Sequence, residues 1–201
     1  VPDAVARGLT IGTPSAETLS AVKKAVRAPG KSARIHVKVD AGMGRIGVRP
    51  DDAEALIRDA LGSPGIVVEG IYTHFPSADE DRDPQSFAQI DTFTALLDRL
   101  AAGGIRPPVA HMCNYAATIR FPRARLDMVR TGLVTYGLVP YSGSTVPIRP
   151  VMRLESRIAF VKEVPAGFAV SYGGTFVTKR PSLLATVPIG YADGYRRFLS
   201  N

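Results

Sequence analysis

The apolar positions of this chain change period along its length, and each change marks an element. Ala33 to Val39 and Ile66 to Phe75 are strongly apolar runs bounded by turn residues, the pattern of strands buried in a parallel sheet. Leu9 to Ile11 and Val109 to Cys113 are shorter runs of the same kind, and Met128 to Leu138 reads as one more strand with a break at Gly132. Between the runs the period becomes helical. Thr13-Pro14-Ser15-Ala16-Glu17 supplies a start for Leu19, Val22 and Val26, while Ala53, Leu56, Ile57 and Ala60 form one face of Asp51 to Leu61. Phe87 to Ala102 carries Ile90, Phe93, Leu96, Leu97 and Leu100 in the same way. Strand and helix alternate at about 30 to 40 residues, the βαβ rhythm of a parallel sheet.

That rhythm stops at Pro140-Tyr-Ser-Gly-Ser-Thr-Val-Pro147-Ile-Arg-Pro150, whose Pro, Gly and Ser content reads as a domain junction. Beyond it Leu154 to Val161, Ala169 to Ser171 and Leu183 to Ile189 are β runs, separated by Pro165-Ala-Gly167, Gly173-Gly174 and Lys179-Arg180-Pro181. No helical pattern lies between them. The expected organisation is an α/β unit over residues 1–148 and the beginning of a mainly antiparallel β domain over 149–201.

Composition changes this picture little. The 45% apolar and 21% charged content of the 201 residues is that of a globular protein. Cys113 is the single cysteine, so no intrachain disulfide forms, which fits a reducing cytosol. No segment approaches the ~20 apolar residues of a membrane span, and Val-Pro-Asp-Ala lacks the features of a signal peptide. A cytoplasmic protein with no membrane partner is expected. The net charge of +7 raises the question of nucleic acid. The basic residues are scattered, however, with Arg120, Arg123 and Arg125 the densest group, and there is no aromatic interleaving of the kind single-strand binders use. A solvated surface is the better account. The chain begins with Val and ends Phe-Leu-Ser-Asn just after a strand-like run, and so reads as a piece of something longer.

Candidate chemistry centres on Lys38-Val-Asp40-Ala-Gly42-Met-Gly44-Arg45-Ile-Gly47-Val48. This stretch leaves a buried strand for a glycine-rich loop and sets an ammonium and a guanidinium at the strand's carboxyl end, where a small anion is the natural partner. Gly42, Gly44 and Gly47 also spell G-x-G-x-x-G, with Glu69 about twenty residues on, as in a dinucleotide fingerprint. The phase is wrong for that: Pro50 puts the helix start beyond the third glycine, whereas a pyrophosphate needs the helix N-terminus within them. The other strands end in polar residues too: Thr73 and His74, then Asn114 and Tyr115, then Arg130. In a parallel α/β barrel function collects at these ends. Four successive runs finishing this way point to one shared site.

The segments Lys38 to Gly47, Gly70-Ile-Tyr-Thr-His74-Phe, Met128-Val-Arg130-Thr-Gly132, Val170-Ser-Tyr172-Gly and Pro188-Ile-Gly-Tyr191-Ala-Asp-Gly resemble, in this order, those of alanine racemases. The resemblance runs along essentially the whole chain. It implies a pyridoxal 5'-phosphate enzyme, a homodimer whose (β/α)8 barrel of TIM type is followed by a β domain, interconverting L- and D-alanine for peptidoglycan. The chain would then hold the C-terminal part of the barrel and the start of the β domain, with no metal.

By the same resemblance Tyr172 is the catalytic tyrosine and His74 its orienting neighbour beside the cofactor ring. Arg130 faces the pyridine nitrogen, Arg45 helps hold the substrate carboxylate, and Lys38 matches a lysine often carbamylated. Asn114, Tyr115 and the backbone amides of Gly132 and Leu133 fall among the cofactor contacts, the last two where the family holds the phosphate. A tyrosine whose free pKa is about 10 needs a cationic neighbourhood to act as a base, and Arg45 and His74 are expected to supply it. Two departures stand out. Tyr115 replaces the family's phosphate-contacting serine, and the segment bearing the Schiff-base lysine would lie before Val1, so that this chain alone is expected to be inactive. A racemase of wider amino-acid range, or a non-catalytic truncated barrel, are the alternatives.

Overall fold

In the computed structural model, which describes residues 1–27, 30–80, 84–138, 144 and 146–199, four strands pair in chain order in one parallel sheet. They are β1 (Ile11–Thr13), β2 (Ala33–Lys38), β3 (Ile66–Tyr72) and β4 (Val109–His111). A short helix α1 (Pro2–Ala6) precedes them, and α2 (Ala16–Ala25), α3 (Ala53–Leu61) and α4 (Pro84–Ala102) make the crossovers. Ser15 starts α2 by accepting the Thr18 N–H at 3.3 Å. Leu19 and Val22 of α2, Leu56 and Ile57 of α3, and Phe93, Leu96 and Leu100 of α4 are buried in one core with Ile35, Val37, Val39 and Ile71. Each such side chain contributes about 1.5–3 kcal/mol by leaving water.

The register decides which side chains share a face. Ile35 pairs with Val68 but His36 pairs with Gly70, so Glu69 is an extra residue bulging from β3. The bulge shifts the alternation of β3 by one. Ile66, Val68 and Ile71 thereby stay with Ala33, Ile35 and Val37 on the helix-covered face, and Gly70 and Tyr72 lie beside His36 and Lys38 on the other. Gly70 has to be glycine: a Cβ there would stand 2.6 Å from the Val109 carbonyl oxygen and from the His36 ring.

After β4 comes a short helix, α5 (Tyr115–Arg120), which the apolar pattern did not announce. The expected strand Met128 to Leu138 is not formed. Asp127 N–H donates to the Ala110 carbonyl at 3.1 Å and Arg130 N–H to that of Cys113 at 3.1 Å, a spacing of three where a parallel ladder repeats every two. The Ala110 N–H meanwhile goes to the Asp127 carboxylate at 2.8 Å, and Gly132 turns to φ 47° to open a 3-10 helix over Gly132–Tyr136. Local side-chain bonding has displaced the ladder.

The chain divides into two compact units, Val1–Val151 and Met152–Asn201. Of the junction expected between residues 140 and 150, positions 140–143 and 145 lie outside the described residues. In the second unit β5 (Phe160–Val164) pairs antiparallel with β8 (Ser182–Thr186), and β6 (Ala169–Val170) with β7 (Phe176–Val177). The run expected from Leu154 enters the ladder only at Phe160, because β8 ends opposite it at Thr186. The buried Thr178 hydroxyl ties the corner, donating to the Pro165 carbonyl at 2.7 Å and accepting from Phe168 N–H at 3.0 Å.

Candidate active site

The glycine loop after β2 closes on itself. Asp40 N–H donates to the Val48 carbonyl at 2.8 Å and Val48 N–H to that of Lys38 at 2.9 Å, while the Asp40 carboxylate accepts from Gly42 and Gly44 N–H at 3.1 and 3.0 Å. Gly47, at φ 137°, lets the returning strand pass: a Cβ there would lie 2.7 Å from the Asp40 nitrogen. The glycines therefore serve loop closure, which disposes of the dinucleotide reading. Burial alone would raise the Asp40 pKa, but the loop N–H groups and Lys38 outweigh it and hold the carboxyl below its usual value. Arg45 rides on this loop. With Gly12, Pro14, Lys38, Tyr72 and His74 it lines a cleft of about 250 Å³.

Two basic side chains, the buried Lys38 and the half-buried Arg130, flank Tyr72. The Lys38 ammonium lies 5.0 Å from the centre of its ring and the Arg130 guanidinium 5.7 Å. Lys38 is 5% exposed, and its Nζ has no hydrogen-bond partner among the described residues. Burial first, then Arg130 and Arg45, lower its pKa against the opposing pull of Asp40. Arg130 donates to the Thr73 carbonyl at 2.8 Å, to the Met112 carbonyl at 3.2 Å, to His74 Nδ1 at 3.2 Å and to His111 Nδ1. These partners are neutral acceptors, so the guanidinium charge is not offset by them.

Because Arg130 can only donate, it fixes both imidazoles with Nδ1 as acceptor. His111 Nε2 then faces His36 Nδ1 at 2.9 Å, and His36 Nε2 faces the Glu69 carboxylate at 3.4 Å, which Thr10 also reaches at 2.8 Å. Burial, then Arg130, depresses His74 to about 4 and His111 to about 3. His74 is consequently neutral at neutral pH. That corrects the expectation that it supplies positive charge to the catalytic tyrosine: the nearby fixed cations that would help a tyrosine are the same ones that discharge His74.

The remaining predicted residues of the first unit gather beside α5. Asn114 caps this helix, accepting the Ala117 N–H at 3.0 Å and donating to the Phe75 carbonyl at 3.4 Å. Tyr115 donates to Asp79 Oδ2 at 2.7 Å. Its Cβ is 3.9 Å from where a Cβ on Gly132 would stand, so Tyr115 starts beside the Gly132–Leu133 turn. Tyr172 belongs to the second unit. It follows Ser171, held at φ 60°, and is exposed beside a hollow of about 750 Å³ whose walls include Phe176, Tyr191 and Arg197.

Tyr72, His111, His36 and Glu69 were not foreseen as site residues. Strand alternation placed His36 on the face of Lys38, two residues on, and that signal was readable. Tyr72 and His111 needed the register, in which they are neighbours stacked at 4.8 Å.

A parallel α/β sheet whose carboxyl-end loops bring Lys38, Arg45, His74 and Arg130 together belongs to the α/β-barrel class, in which ligands bind at that end of the strands. The ring oxygen of pyridoxal phosphate and an amino-acid carboxylate are acceptors that the Lys38 Nζ, without a hydrogen-bond partner among the described residues, would fit, and the pyridine nitrogen is an acceptor that the donor-only Arg130 would fit. Comparison with known proteins then names the family. Residues 1–140 match the family model "Alanine racemase, N-terminal domain" and residues 151–201 match "Alanine racemase, C-terminal domain". The chain belongs to the alanine racemase family.

It is 43% identical to alanine racemase 1 of Oceanobacillus iheyensis over 204 residues, covering 100% of this chain and 54% of that protein. It is 46% identical to the alanine racemase of Desulfovibrio desulfuricans over 188 residues, covering 92% and 51%. Among solved structures, alanine racemase from Clostridium difficile 630 superposes with a TM-score of 0.89 at 34% identity, covering 100% of this chain and 53% of that one. The enzyme from a D-cycloserine-producing Streptomyces lavendulae gives 0.84 at 38%, covering 98% and 53%. The chain spans about half the length of the curated relatives it matches. Among the described residues no helix is long and apolar enough to cross a membrane.

Proposed function

We propose that this chain is part of a cytoplasmic, pyridoxal-phosphate-dependent alanine racemase that interconverts L- and D-alanine and supplies D-alanine for peptidoglycan. The observation that carries this reading is the pair of basic side chains gathered around Tyr72, the buried Lys38, whose Nζ has no hydrogen-bond partner among the described residues, and the half-buried Arg130, whose partners are all neutral. When bound, the cofactor supplies an electron sink that acidifies the α-C–H bond of alanine. Arg130 would be the residue at its ring nitrogen; a guanidinium keeps its proton and can only donate, which would leave that nitrogen unprotonated and restrain side reactions such as transamination. His74, neutral and with its Nδ1 held by Arg130, keeps Nε2–H to donate, and in this reading the acceptor is the catalytic tyrosine. Arg45 holds the substrate carboxylate. Burial lowers the Lys38 pKa, so its ammonium gives up a proton more readily than a free lysine, and the amine so formed can add carbon dioxide, with loss of a further proton, to give a carbamate beside the arginines.

Tyr172 adds or removes the α-proton on one face, and the family's cofactor-linked lysine, ahead of the stretch matched here, acts on the other. The tyrosine serves the barrel mouth of a partner subunit, so a two-fold homodimer has two composite sites. The test uses the full-length protein. One variant lacks the cofactor-linked lysine and another carries Tyr172→Phe; each alone is expected to be nearly inactive in converting L-alanine to D-alanine. A hybrid dimer purified by two affinity tags holds one intact site and recovers up to about half of wild-type activity. A wild-type protein that binds the cofactor yet racemises no alanine overturns the function. A hybrid as inactive as its parents overturns the composite site.

A further inference from the structure

We propose that Tyr115 is a positioning residue whose hydroxyl is withdrawn from the cofactor phosphate and, through Asp79, clasps the loop carrying His74 to α5; this rests on the racemase reading for its link to the cofactor. A tyrosine hydroxyl has one proton to give. Here it goes to Asp79 Oδ2 at 2.7 Å, the short distance of a charge-assisted bond. A phosphate needs that same proton, because the oxygen offers it only lone pairs otherwise. Geometry adds to the chemistry. The Tyr115 Cβ lies beside Gly132, but a phenol oxygen sits at the far end of its ring, pointing to residue 79 rather than back to the Gly132–Leu133 turn.

The rest of α5 grips the same loop. Asn114 donates to the Phe75 carbonyl at 3.4 Å, and Arg120 donates to the carbonyls of Ala78, at 2.8 Å, and Glu80. Phe75 and Ala78 are buried, and the Phe75 ring lies 6.0 Å from that of Phe121 just after α5. Residues 75, 78, 79 and 80 are thus held by three side chains of one helix and its cap. His74 is next in sequence to the first of these, and its own carbonyl is held from the far side by Gln89 at 3.4 Å. A serine at position 115 has its hydroxyl next to Cβ and cannot reach Asp79. Tyrosine exchanges a phosphate contact for a fixed His74 loop.

The full-length protein with Tyr115→Phe, Asp79→Ala and both substitutions tests this by three readings: cofactor affinity of the apoprotein, amide hydrogen exchange of residues 74–80, and kcat against KM for alanine. Both single variants should bind pyridoxal phosphate within about twofold of wild type while amides of residues 74–80 exchange about tenfold faster, the change expected of one charge-assisted hydrogen bond. The double variant should go no further than either single. In both variants kcat falls at an unchanged KM for alanine, because His74 has moved and no ligand contact is lost. Weaker cofactor binding in Tyr115→Phe alone, with exchange unchanged, means that the hydroxyl serves the phosphate and overturns the proposal. Faster exchange with unchanged kcat overturns the positioning role. If the wild-type protein binds no pyridoxal phosphate, the racemase reading falls, and the exchange of the two variants still decides whether the clasp exists.

Discussion

Replacing Arg130 by methionine removes the charge and keeps most of the side-chain volume, and its consequences can be worked out bond by bond. Four hydrogen bonds go, two of them to the buried carbonyls of Thr73 and Met112. Each stranded carbonyl costs about 1–3 kcal/mol. The variant also escapes the cost of burying a cation, so a net loss of about 2–4 kcal/mol is expected. The sharper reading is in the histidines. After burial, Arg130 is the largest influence on both His74 and His111, which stand at about 4 and about 3. Their folded values lie below the ordinary 6.5 of the unfolded chain, so the unfolded state takes up protons that the native state refuses. The stability this gives is complete above pH 6.5 and is lost as pH falls from 6.5 through the folded values. The slope is at most about 1.4 kcal/mol per pH unit for each histidine, and less for rings that keep some contact with water. In Arg130→Met both folded values should rise toward 6.5 without reaching it, and the acid slope should flatten. Histidine ring NMR on the full-length protein, assigned with His74→Gln and His111→Gln, gives the midpoints, and urea unfolding from pH 7.5 to 5 gives the slope. A wild-type His74 that titrates near 6.5, or midpoints that stay put in Arg130→Met, would refute the reasoning.

The space at Gly70 predicts that Gly70→Ala destabilises by about 2–3 kcal/mol, because the Val109 carbonyl 2.6 Å from the new Cβ cannot move without breaking the β3–β4 pairing. An unchanged urea midpoint would mean that the bulge at Glu69 absorbs the clash. Cys113 is fully buried, its thiol donates to the Ala124 carbonyl at 3.1 Å, and burial pushes its pKa up to about 11. Iodoacetamide at pH 8 should therefore leave it unmodified in the native protein and label it in urea, as read by peptide mass spectrometry; native labelling at the unfolded rate would contradict the buried position.

How much of this was legible follows from where each residue takes its instructions. β2, β3 and the three long helices were readable because one face of each is buried against the others, and burial imposes a period that survives in the residue order. α5 was not, since six residues make too few turns to establish a period, and its start rests on the single cap at Asn114. The failed strand after Met128 had the right composition; what unmade it was one carboxylate, Asp127, taking the Ala110 N–H that a ladder needs. Within the site, Lys38, His74 and Arg130 were visible as polar residues ending apolar runs. The bulge at Glu69 was not, and simple alternation from Ile66 would have put Tyr72 on the helix side, away from Lys38. That one inserted residue brings Tyr72 between the two cations. The neutral state of His74 lies deeper still, because a protonation state belongs to the assembled cluster: the cations that sequence order identifies singly become, once the register gathers them, the reason that the imidazole among them carries no charge.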